Sequence, residues 1–483
     1  MTGCPDCTLV FDFGTTALKT ALIDRNFEFA AVESFDFTYD TPAPGRMECD
    51  PYLYLKAMSE TARKIVPGHS VRRIVITGQA ETLIFIGRDG NPMGKAIVWL
   101  DDRAKTEAES LARKIPKARF YAVTGNPSVD PVMPLCKLPW VRENLPELDA
   151  AYAKALLLHE WAVKSLTGEE AAEYGILSCS GYFDVVRQKY DTEILEVAGI
   201  DERRLASAMP PFAEVGKLSK EGAELLGLPI GIPVSNGTLD QCASAIGAGN
   251  IVPGRLTETT GTVLAIAATL ERFEPGKLNV PVLCHGIRGR YLALPYGPTA
   301  GGALKSFQRK FMPQMSFAEI DAEAEKRPED DLICLPHFCG KVSPEFHADA
   351  AGMMLGMTLD TTPIDMARAI MEGVAFLLKE NVDALAGCGC TAEEILSFGG
   401  GANSSYWTQL KADVLQIPVT AAKIAESTSL GAALGAALYA EEIRESELLA
   451  RKVPGERHLP QMNPKILEKY KKYLDYSEKL GVR

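Results

Sequence analysis

The stretch LVFDFGTTALKTALID, residues 9–24, sets the pattern on which the fold is built. Apolar residues run into a bend that contains Asp12 and Gly14, and apolar residues run out of it. Glycine adopts the backbone conformations of a tight turn that other residues resist. The stretch therefore predicts a β-hairpin.

Two interpretations of this bend are open at this point. It is an ordinary turn, because Asp, Gly and Thr are common turn residues. Alternatively, it is an anion cradle in which backbone N–H groups, the hydroxyls of Thr15 and Thr16, and Lys19 surround a phosphate. Asp12 then holds a metal ion beside that phosphate.

Bulk composition limits the classes of protein that fit. The chain has 483 residues, 46% hydrophobic and 24% charged, which is typical of a soluble globular protein of roughly two to four domains. A net charge of −12 argues against a nucleic-acid-binding surface. Apolar runs are too short for a membrane span, and the opening MTGCPDC lacks a signal-peptide pattern. A cytoplasmic location is expected.

The 11 cysteines suggest reduced thiols in a reducing compartment. Cys4 and Cys7 form a CxxC motif with no second CxxC, and Cys334, His337 and Cys339 lack a fourth ligand. Because a zinc site needs a full ligand set, we interpret the cysteines as buried or incidental.

The first half reads as short strands followed by helices. Residues 72–79 predict a strand, and residues 82–99 predict strands joined by a turn of Asp89, Gly90, Asn91 and Pro92. Helices are predicted around 102–114, 159–167 and 191–198.

The pattern repeats near the middle of the chain. Residues 232–251 predict a strand, a turn at Gly237, and a helix of small residues starting near Asp240. Residues 255–269 then repeat the opening design, with a Thr-Gly-Thr bend between alternating strands. Two hairpins of one type indicate a duplication.

Three further segments carry clear signals. Apolar residues at helical spacing predict a long helix from Pro363 to about Ala386. Residues 394–415 predict a strand, three glycines and a helix whose N-terminus suits a phosphate or a polar ring. Residues 427–440 predict a small-residue helix packed on a sheet.

Common nucleotide motifs do not fit the chain. No GxxxxGK[ST] is present, and GCGCTA at 387–392 follows a helix, the wrong context for dinucleotide binding. Two Gly/Thr bends, a strand–GGG–helix junction and acidic residues at strand ends remain, which are the parts that phosphoryl transfer needs. Asp240 opens a helix and suits a general base, although helix N-capping is the better explanation of this residue taken alone.

Five segments in order resemble the FGGY carbohydrate kinase family, whose members include glycerol kinase, xylulokinase and ribulokinase. The resemblance covers nearly the full length. Its segments are DFGTTALK, AIVWLDDR (96–103), GTLDQCASAIG (237–247), TTGT (259–262) and FGGGANSSYW (398–407).

This resemblance implies an α/β fold of duplicated ribonuclease-H-like domains, as in the actin and hexokinase superfamily, around a central cleft. The expected domains are 1–250, with sugar binding, the first phosphate loop and the catalytic Asp, and 251–483, with the second phosphate loop and adenosine binding. ATP and Mg²⁺ are the implied cofactors, with Asp240 as the base and Asp12 as the metal-binding residue. Residues implied to bind the nucleotide are Gly14, Thr15, Thr16, Lys19, Gly261, Thr262, Gly301, Gly302, Gly400, Gly401 and Ser404.

The resemblance also implies a small sugar or polyol substrate. Residues implied to contact it are Gln79, Ala80, Glu81, Asp101, Arg103, Asp240 and Gln241. Xylulokinases tend to have Met-His where this chain has Ala80-Glu81, and glycerol kinases have Arg-Glu. Because Ala80 leaves room beside the sugar, a ketopentose such as xylulose or ribulose is the leading substrate, with a glycerol- or erythritol-type polyol as the alternative.

Two other classes of protein are weighed against a kinase. One is a sugar-binding regulator without catalysis, which usually carries a DNA-binding helix pair. The other is an actin-type structural protein, which needs neither the WxDxR segment nor Asp240. A kinase fits best, with no nucleic-acid or membrane partner, and a homodimer is one alternative for the assembly.

Overall fold

The computed structural model describes residues 6–328, 330–424 and 426–482. The opening stretch forms the predicted hairpin, in which strand β1 (Asp6–Phe13) pairs antiparallel with strand β2 (Ala17–Ile23). The apolar residues of both strands are buried, which gives the hairpin its place in the core. Cys4 of the CxxC motif lies outside the described residues.

The other elements follow in chain order. The strands are β3 (Phe29–Asp36), β4 (Glu48–Cys49), β5 (Ser70–Gly78), β6 (Leu83–Ile86), β7 (Ala96–Ile97), β8 (Lys154–Leu157), β9 (Ala171–Glu173), β10 (Phe183–Asp184), β11 (Lys189–Tyr190), β12 (Ser207–Met209), β13 (Glu214–Lys217), β14 (Pro233–Leu239), β15 (Arg255–Thr260), β16 (Leu264–Leu270), β17 (Val282–Cys284), β18 (Tyr291–Ala293), β19 (Tyr296–Gly297), β20 (Ile333–Leu335), β21 (Met353–Leu355), β22 (Glu394–Phe398), β23 (Val419–Ala422) and β24 (Gly455–His458). The helices are α1 (Tyr52–Ile65), α2 (Lys105–Lys114), α3 (Lys117–Thr124), α4 (Pro134–Asn144), α5 (Pro146–Ala151), α6 (Leu158–Thr167), α7 (Tyr174–Ser178), α8 (Thr192–Ala198), α9 (Lys220–Leu226), α10 (Asp240–Gly247), α11 (Gly301–Phe311), α12 (Phe317–Lys326), α13 (Pro363–Gly387), α14 (Ser405–Leu415), α15 (Ser427–Tyr439), α16 (Glu445–Ala450) and α17 (Pro464–Lys479), with 3₁₀ turns at Glu202–Arg204 and Gly400–Asn403.

The described residues form two compact units. The first contains residues up to 249 together with 282–291 and 426–451, and the second contains the rest. The expected boundary near residue 250 coincides with the end of the first unit's long segment. The domains expected from sequence were continuous, whereas residues 282–291 and 426–451 belong to the first unit although they follow that boundary.

The sheet of the first unit has the strand order β13-β14-β5-β1-β2-β3. Strand β1 runs antiparallel to β2 and parallel to β5, and β5 runs parallel to β14. Edge strands β3 and β13 are antiparallel to their neighbours. Helix α1 packs on β2 and β3, and α15 packs on β1 and β5.

The sheet of the second unit repeats this plan. Strands β16-β15-β22-β23-β24 are neighbours in that order. The hairpin β15–β16 is antiparallel, β15, β22 and β23 are parallel, and the edge strand β24 is antiparallel. The predicted duplicated α/β fold is confirmed.

Small residues allow α10 and α15 of the first unit to approach closely. A Cβ atom added at Gly431 would lie 1.8 Å from the carbonyl oxygen of Ala243, and one at Gly247 would lie 2.0 Å from that of Ser427. Any larger side chain would force these two backbones apart. The predicted small-residue helix at 427–440 therefore packs on a helix as well as on the sheet.

The predicted turn at Gly237 is wrong. Strand β14 continues through this position to Leu239, and its pairing with β5 shifts register between Ser235 and Thr238. Gly237 has a φ of +53°, and a Cβ atom there would lie 1.7 Å from the carbonyl oxygen of Ile76. The glycine serves a bulge within a buried strand, a conformation whose local signal resembles that of a turn.

The long helix α13 has the expected bounds. Thr362 and Asp365 form a capping box before its first turn, and Pro363 occupies the first helical position. Within the described residues, no helix is both long and apolar enough to cross a membrane.

Candidate active site

The bend of the first hairpin contains a buried carboxylate. Asp12 is 7% exposed and faces Lys19 across the β1–β2 pairing. Burial, together with the charges of Asp240 and Glu426, raises the pKa of the Asp12 carboxyl to about 7 against the opposing charge of Lys19. This group of like charges favours a bound cation.

Lys19 forms an ion pair that the sequence did not predict. Its ammonium donates to both carboxylate oxygens of Glu426, at 3.2 and 2.9 Å. Glu426 stands immediately before α15 at the N-cap position. A phosphate contact by Lys19 stays a prediction, and in this structure its charge is directed to Glu426.

The residues of the bend are braced by a tryptophan. The indole Nε1–H of Trp99 donates to the hydroxyl of Thr15 at 3.2 Å. Thr16 is exposed, and Gly14 is half-buried. A Cβ atom at Gly14 would lie 3.1 Å from the carbonyl oxygen of Ala17, so glycine suits this tight bend.

Asp240 is the first residue of α10, directly after β14. Its Oδ1 accepts the backbone N–H of Gln241 at 2.6 Å. Burial raises the pKa of the Asp240 carboxyl to about 6, and this hydrogen bond lowers it. Leu239 occupies the N-cap position, so the N-capping interpretation does not account for Asp240.

A second buried carboxylate supports the junction of β14 and α10. Glu173 Oε1 accepts the hydroxyl of Thr238 at 3.1 Å, two residues before Asp240. Glu173 also caps α7 through the backbone N–H groups of Gly175 and Ile176. Burial raises the pKa of Glu173 to about 7. Sequence reasoning missed this residue because its partner is 65 positions away.

The segment of Gln79, Ala80 and Glu81 follows β5. Gln79 is buried, and its amide donates to the carbonyl of Gly14 at 3.3 Å. Glu81 has a φ of +69°, a conformation that few residues other than glycine adopt. Burial raises the pKa of the Glu81 carboxyl, and the charge of Lys137 opposes that rise.

Lys137 is fully buried beneath this segment. Its ammonium donates to the backbone carbonyls of Glu81, Val98 and Trp99 at 3.4, 3.1 and 3.3 Å. Burial lowers the pKa of Lys137. The lysine thus ties the Glu81 turn to the WLDDR segment, a link between distant stretches that the sequence did not indicate.

Asp101 and Arg103 are bound to each other. Asp101 has no exposed area and accepts the backbone N–H of Met47 at 2.6 Å and the Arg103 guanidinium at 2.7 and 2.6 Å. Arg103 also pairs with Glu48 at 2.7 Å and lies over the ring of Trp140. These contacts favour a supporting role for both residues. Gln241, by contrast, is exposed.

The second unit contains a cavity of about 500 Å³, a size that suits a small-molecule ligand. Seven of the residues expected to bind a nucleotide line it: Gly261, Thr262, Gly301, Gly302, Gly400, Gly401 and Ser404. The sequence did not predict its other walls, among them Lys305, Phe317, Asp321, Met371 and Trp407.

Glycines of the cavity allow its loops to touch. A Cβ atom at Gly301 would lie 2.7 Å from the carbonyl oxygen of Gly261, and one at Gly302 would lie 2.8 Å from that of Thr262. Ser404 caps α14 by accepting the backbone N–H of Trp407 at 2.9 Å. Side chains larger than hydrogen at these glycines would push the loops apart or fill the cavity.

Comparison with protein families matches both halves of the chain. The N-terminal domain of the FGGY family of carbohydrate kinases matches residues 7–247. The C-terminal domain of the same family matches residues 293–440. Together they cover more than half of the chain.

Individual proteins agree with this match. The chain is 26% identical to a xylulose kinase of Escherichia coli over 93% of each chain, and 30% identical to a glycerol kinase of Brucella ovis over 88% of each. Its fold is similar to the crystal structure of a xylulose kinase from Rhodospirillum rubrum, with a TM-score of 0.92 and 25% identity over 98% of this chain and 99% of the other.

Proposed function

Since the chain belongs to the FGGY family of carbohydrate kinases, we propose that it transfers the γ-phosphate of ATP to a terminal hydroxyl of a small neutral sugar. A ketopentose such as xylulose or ribulose is the proposed acceptor. An erythritol- or glycerol-type polyol is the second candidate, because Glu81 and the Asp240-Gln241 pair resemble the residues that glycerol kinases have at these positions. The observation that carries the proposal is the carboxylate of Asp240, held at the start of α10 with a raised pKa.

Asp240 is proposed as the general base. A pKa of about 6 leaves the carboxylate mostly ionised at neutral pH, yet makes it more basic than an ordinary aspartate. It accepts the proton of the attacking sugar hydroxyl. Glu173 holds the adjoining strand through Thr238 and so keeps the carboxylate in position.

The residues of the first hairpin fit a magnesium ion. Carboxylate oxygens are ligands that Mg²⁺ prefers, and Asp12 is a buried carboxylate repelled by Asp240 and Glu426. Asp12 would hold the ion, directly or through water. When bound, Mg²⁺ neutralises charge on the transferred phosphoryl group.

ATP is proposed to bind in the cavity of the second unit. The backbone N–H and the hydroxyl of Thr262 suit phosphate oxygens, because glycine-rich bends present such groups to anions. The apolar faces of Phe317, Met371 and Trp407 suit the adenine ring.

The charge around Glu81 supports a neutral acceptor. Glu81 senses the negative charge of Asp130, and Asp240 and Asp12 interact in the same unit. A sugar acid would add another negative charge and be repelled. Hydroxyl groups, in contrast, donate to carboxylates and satisfy them.

Compartment and thiol state form part of the proposal. The cysteines within the described residues form no disulfide bonds, and most are buried. Reduced thiols suit the cytoplasm, where disulfides are rare.

An acceptor panel tests the proposal directly. Purified protein with Mg-ATP is assayed for ADP release on D-xylulose, D-ribulose, erythritol, glycerol and gluconate. We expect the highest kcat/KM on a ketopentose and a shift toward glycerol in Ala80→Arg, whose side chain fills the space beside the sugar. Gluconate as the best acceptor would contradict the charge argument. Sugar binding without ADP release on any acceptor would favour the regulator.

A further inference from the structure

A fully buried pair of opposite charges lies in the core of the second unit. The ammonium of Lys411 is 2.6 Å from Oε1 of Glu258, and neither side chain has exposed area. The hydroxyl of Ser397 bonds the same oxygen and lies 3.2 Å from the ammonium. Apolar residues of the same size are often at least as stabilising as a buried ion pair. Stability alone therefore does not account for this pair.

Glu258 holds a residue of the cavity wall. The hydroxyl of Thr260 donates to Oε2 of Glu258 at 2.8 Å, and Thr260 lines the cavity. A Cβ atom at Gly401 would lie 2.6 Å from the Cβ of Thr260. Thr260 is thus fixed between the carboxylate of Glu258 and the glycine segment, residues 399–401.

Lys411 contacts a second residue of the cavity wall, Trp407. It lies one helical turn after Trp407 on α14, and its ammonium is 5.5 Å from the centre of the Trp407 ring. Trp407 lines the cavity, and its indole N–H donates to the carbonyl of Met371 at 3.0 Å.

Ser397 completes the connection. It lies on β22, two residues before the glycine segment that begins at Gly399. One buried network therefore joins β15, β22 and α14: β15 and β22 lead into stretches that line the cavity, and α14 contains Trp407.

We propose that Glu258 and Lys411 are positioning residues for nucleotide binding. Glu258 sets the place of Thr260, and Lys411 sets that of Trp407, so that the cavity is shaped before the nucleotide arrives. Preorganisation of this kind lowers the entropy cost of binding. The inference rests on the proposed function, which assigns the nucleotide to this cavity.

The main variant removes both charges at once. In Glu258→Leu/Lys411→Met no charge is left buried and unpaired, so the melting temperature should fall far less than in a variant that removes only one of the two charges. The dissociation constant for ATP, measured by calorimetry, should rise at least about tenfold, because Thr260 loses its acceptor. The KM for the sugar should not change.

A second double variant separates hydrogen bonding from charge. Glu258→Gln/Lys411→Met keeps a carbonyl oxygen that can accept from Thr260, and it is the milder change if the first variant folds poorly. It should bind ATP more tightly than Glu258→Leu/Lys411→Met. Equal weakening in both would overturn the role of the Thr260 contact.

The chain offers a matched control in the same unit. Lys341 and Glu380 form another buried pair, with nitrogen and oxygen 2.8 Å apart, and neither residue lines the cavity. Glu380→Leu/Lys341→Met removes a buried pair of charges in the same way and should leave ATP affinity at the parental value. Weaker ATP binding in this control, as in the first variant, would assign the effect to general loosening and overturn the inference.

Two failures can be told apart. A parent protein that does not bind ATP refutes the assignment of the cavity to a nucleotide. A parent that binds ATP, together with a Glu258→Leu/Lys411→Met variant of equal affinity, overturns the positioning role alone.

Discussion

The two hairpins of the molecule share a backbone plan and differ in their charges. Asp12 and Thr259 stand at equivalent places, each two residues before the glycine of its bend. Asp12 is buried and senses other carboxylates, whereas Thr259 is exposed and neutral. One residue earlier the acid lies in the other hairpin: Phe11 of the first hairpin is apolar, whereas Glu258 of the second is a buried acid.

This difference separates backbone from side-chain contributions. Both units supply an antiparallel hairpin with a glycine at its bend, although the N–H of Gly14 donates to Asp12 and that of Gly261 donates to Val263. The carboxylates around the first bend suit a metal ion, and proton transfer is proposed for Asp240 at the start of α10. In the second unit the charge lies beneath the cavity, where it is paired with Lys411 and holds the wall instead of facing a ligand.

The largest effect expected from this contrast is at Asp240. Asp240→Asn keeps the shape of the side chain but cannot accept a proton, so kcat should fall at least about a hundredfold. ATP affinity should change little. Asp191→Asn is the control, since Asp191 is an N-cap of α8 and should affect stability only. Near-normal turnover of Asp240→Asn would refute the base.

Substitution at the equivalent bend positions tests the comparison directly. Asp12→Ala should raise the Mg²⁺ concentration needed for half-maximal activity about 10- to 100-fold, or abolish activity, because a metal partner is lost. Thr259→Ala, at the matching place in the second hairpin, should leave the Mg²⁺ dependence unchanged. Titration of activity with Mg²⁺ measures both. The same Mg²⁺ dependence in both variants would show that the first bend is an ordinary turn.

A smaller effect is expected where the sugar binds. Glu81→Ala should lower kcat/KM for the best sugar about 10- to 100-fold, since a sugar hydroxyl loses its buried hydrogen-bond partner. The KM for ATP should be unaffected. Asp102→Ala changes a partly exposed acid that pairs with Lys105 and should behave like the parent. Parental sugar kinetics in Glu81→Ala would remove Glu81 from the substrate site.

The smallest effect is a pH dependence. Asp240 must be ionised to accept a proton, and its pKa is raised to about 6. Activity should therefore be retained above that pH and fall about tenfold per unit below it. Profiles of kcat between pH 5 and 8 measure this limb, and the residual activity of Asp240→Asn should lack it. An unchanged limb in that variant would assign the titration to another group.

Much of the fold followed from short-range patterns. Alternating apolar residues around a glycine bend predicted both hairpins, and helical spacing with Pro363 predicted the bounds of α13 closely. Gly237 shows the limit of this reasoning, because a glycine in a buried bulge and a glycine in a turn carry the same local signal. Only the neighbouring strand β5 distinguishes the two.

The sequence by itself determined which residue types stand at the ends of the strands, because turn chemistry and periodicity act over a few residues. Tertiary structure alone decided which charges meet. Lys19 and Glu426 are 407 positions apart, and Lys411 and Glu258 are 153 apart, yet each pair is in direct contact. Burial and neighbouring carboxylates likewise raise the pKa of Asp12, and such contacts depend on long-range packing that no local pattern contains.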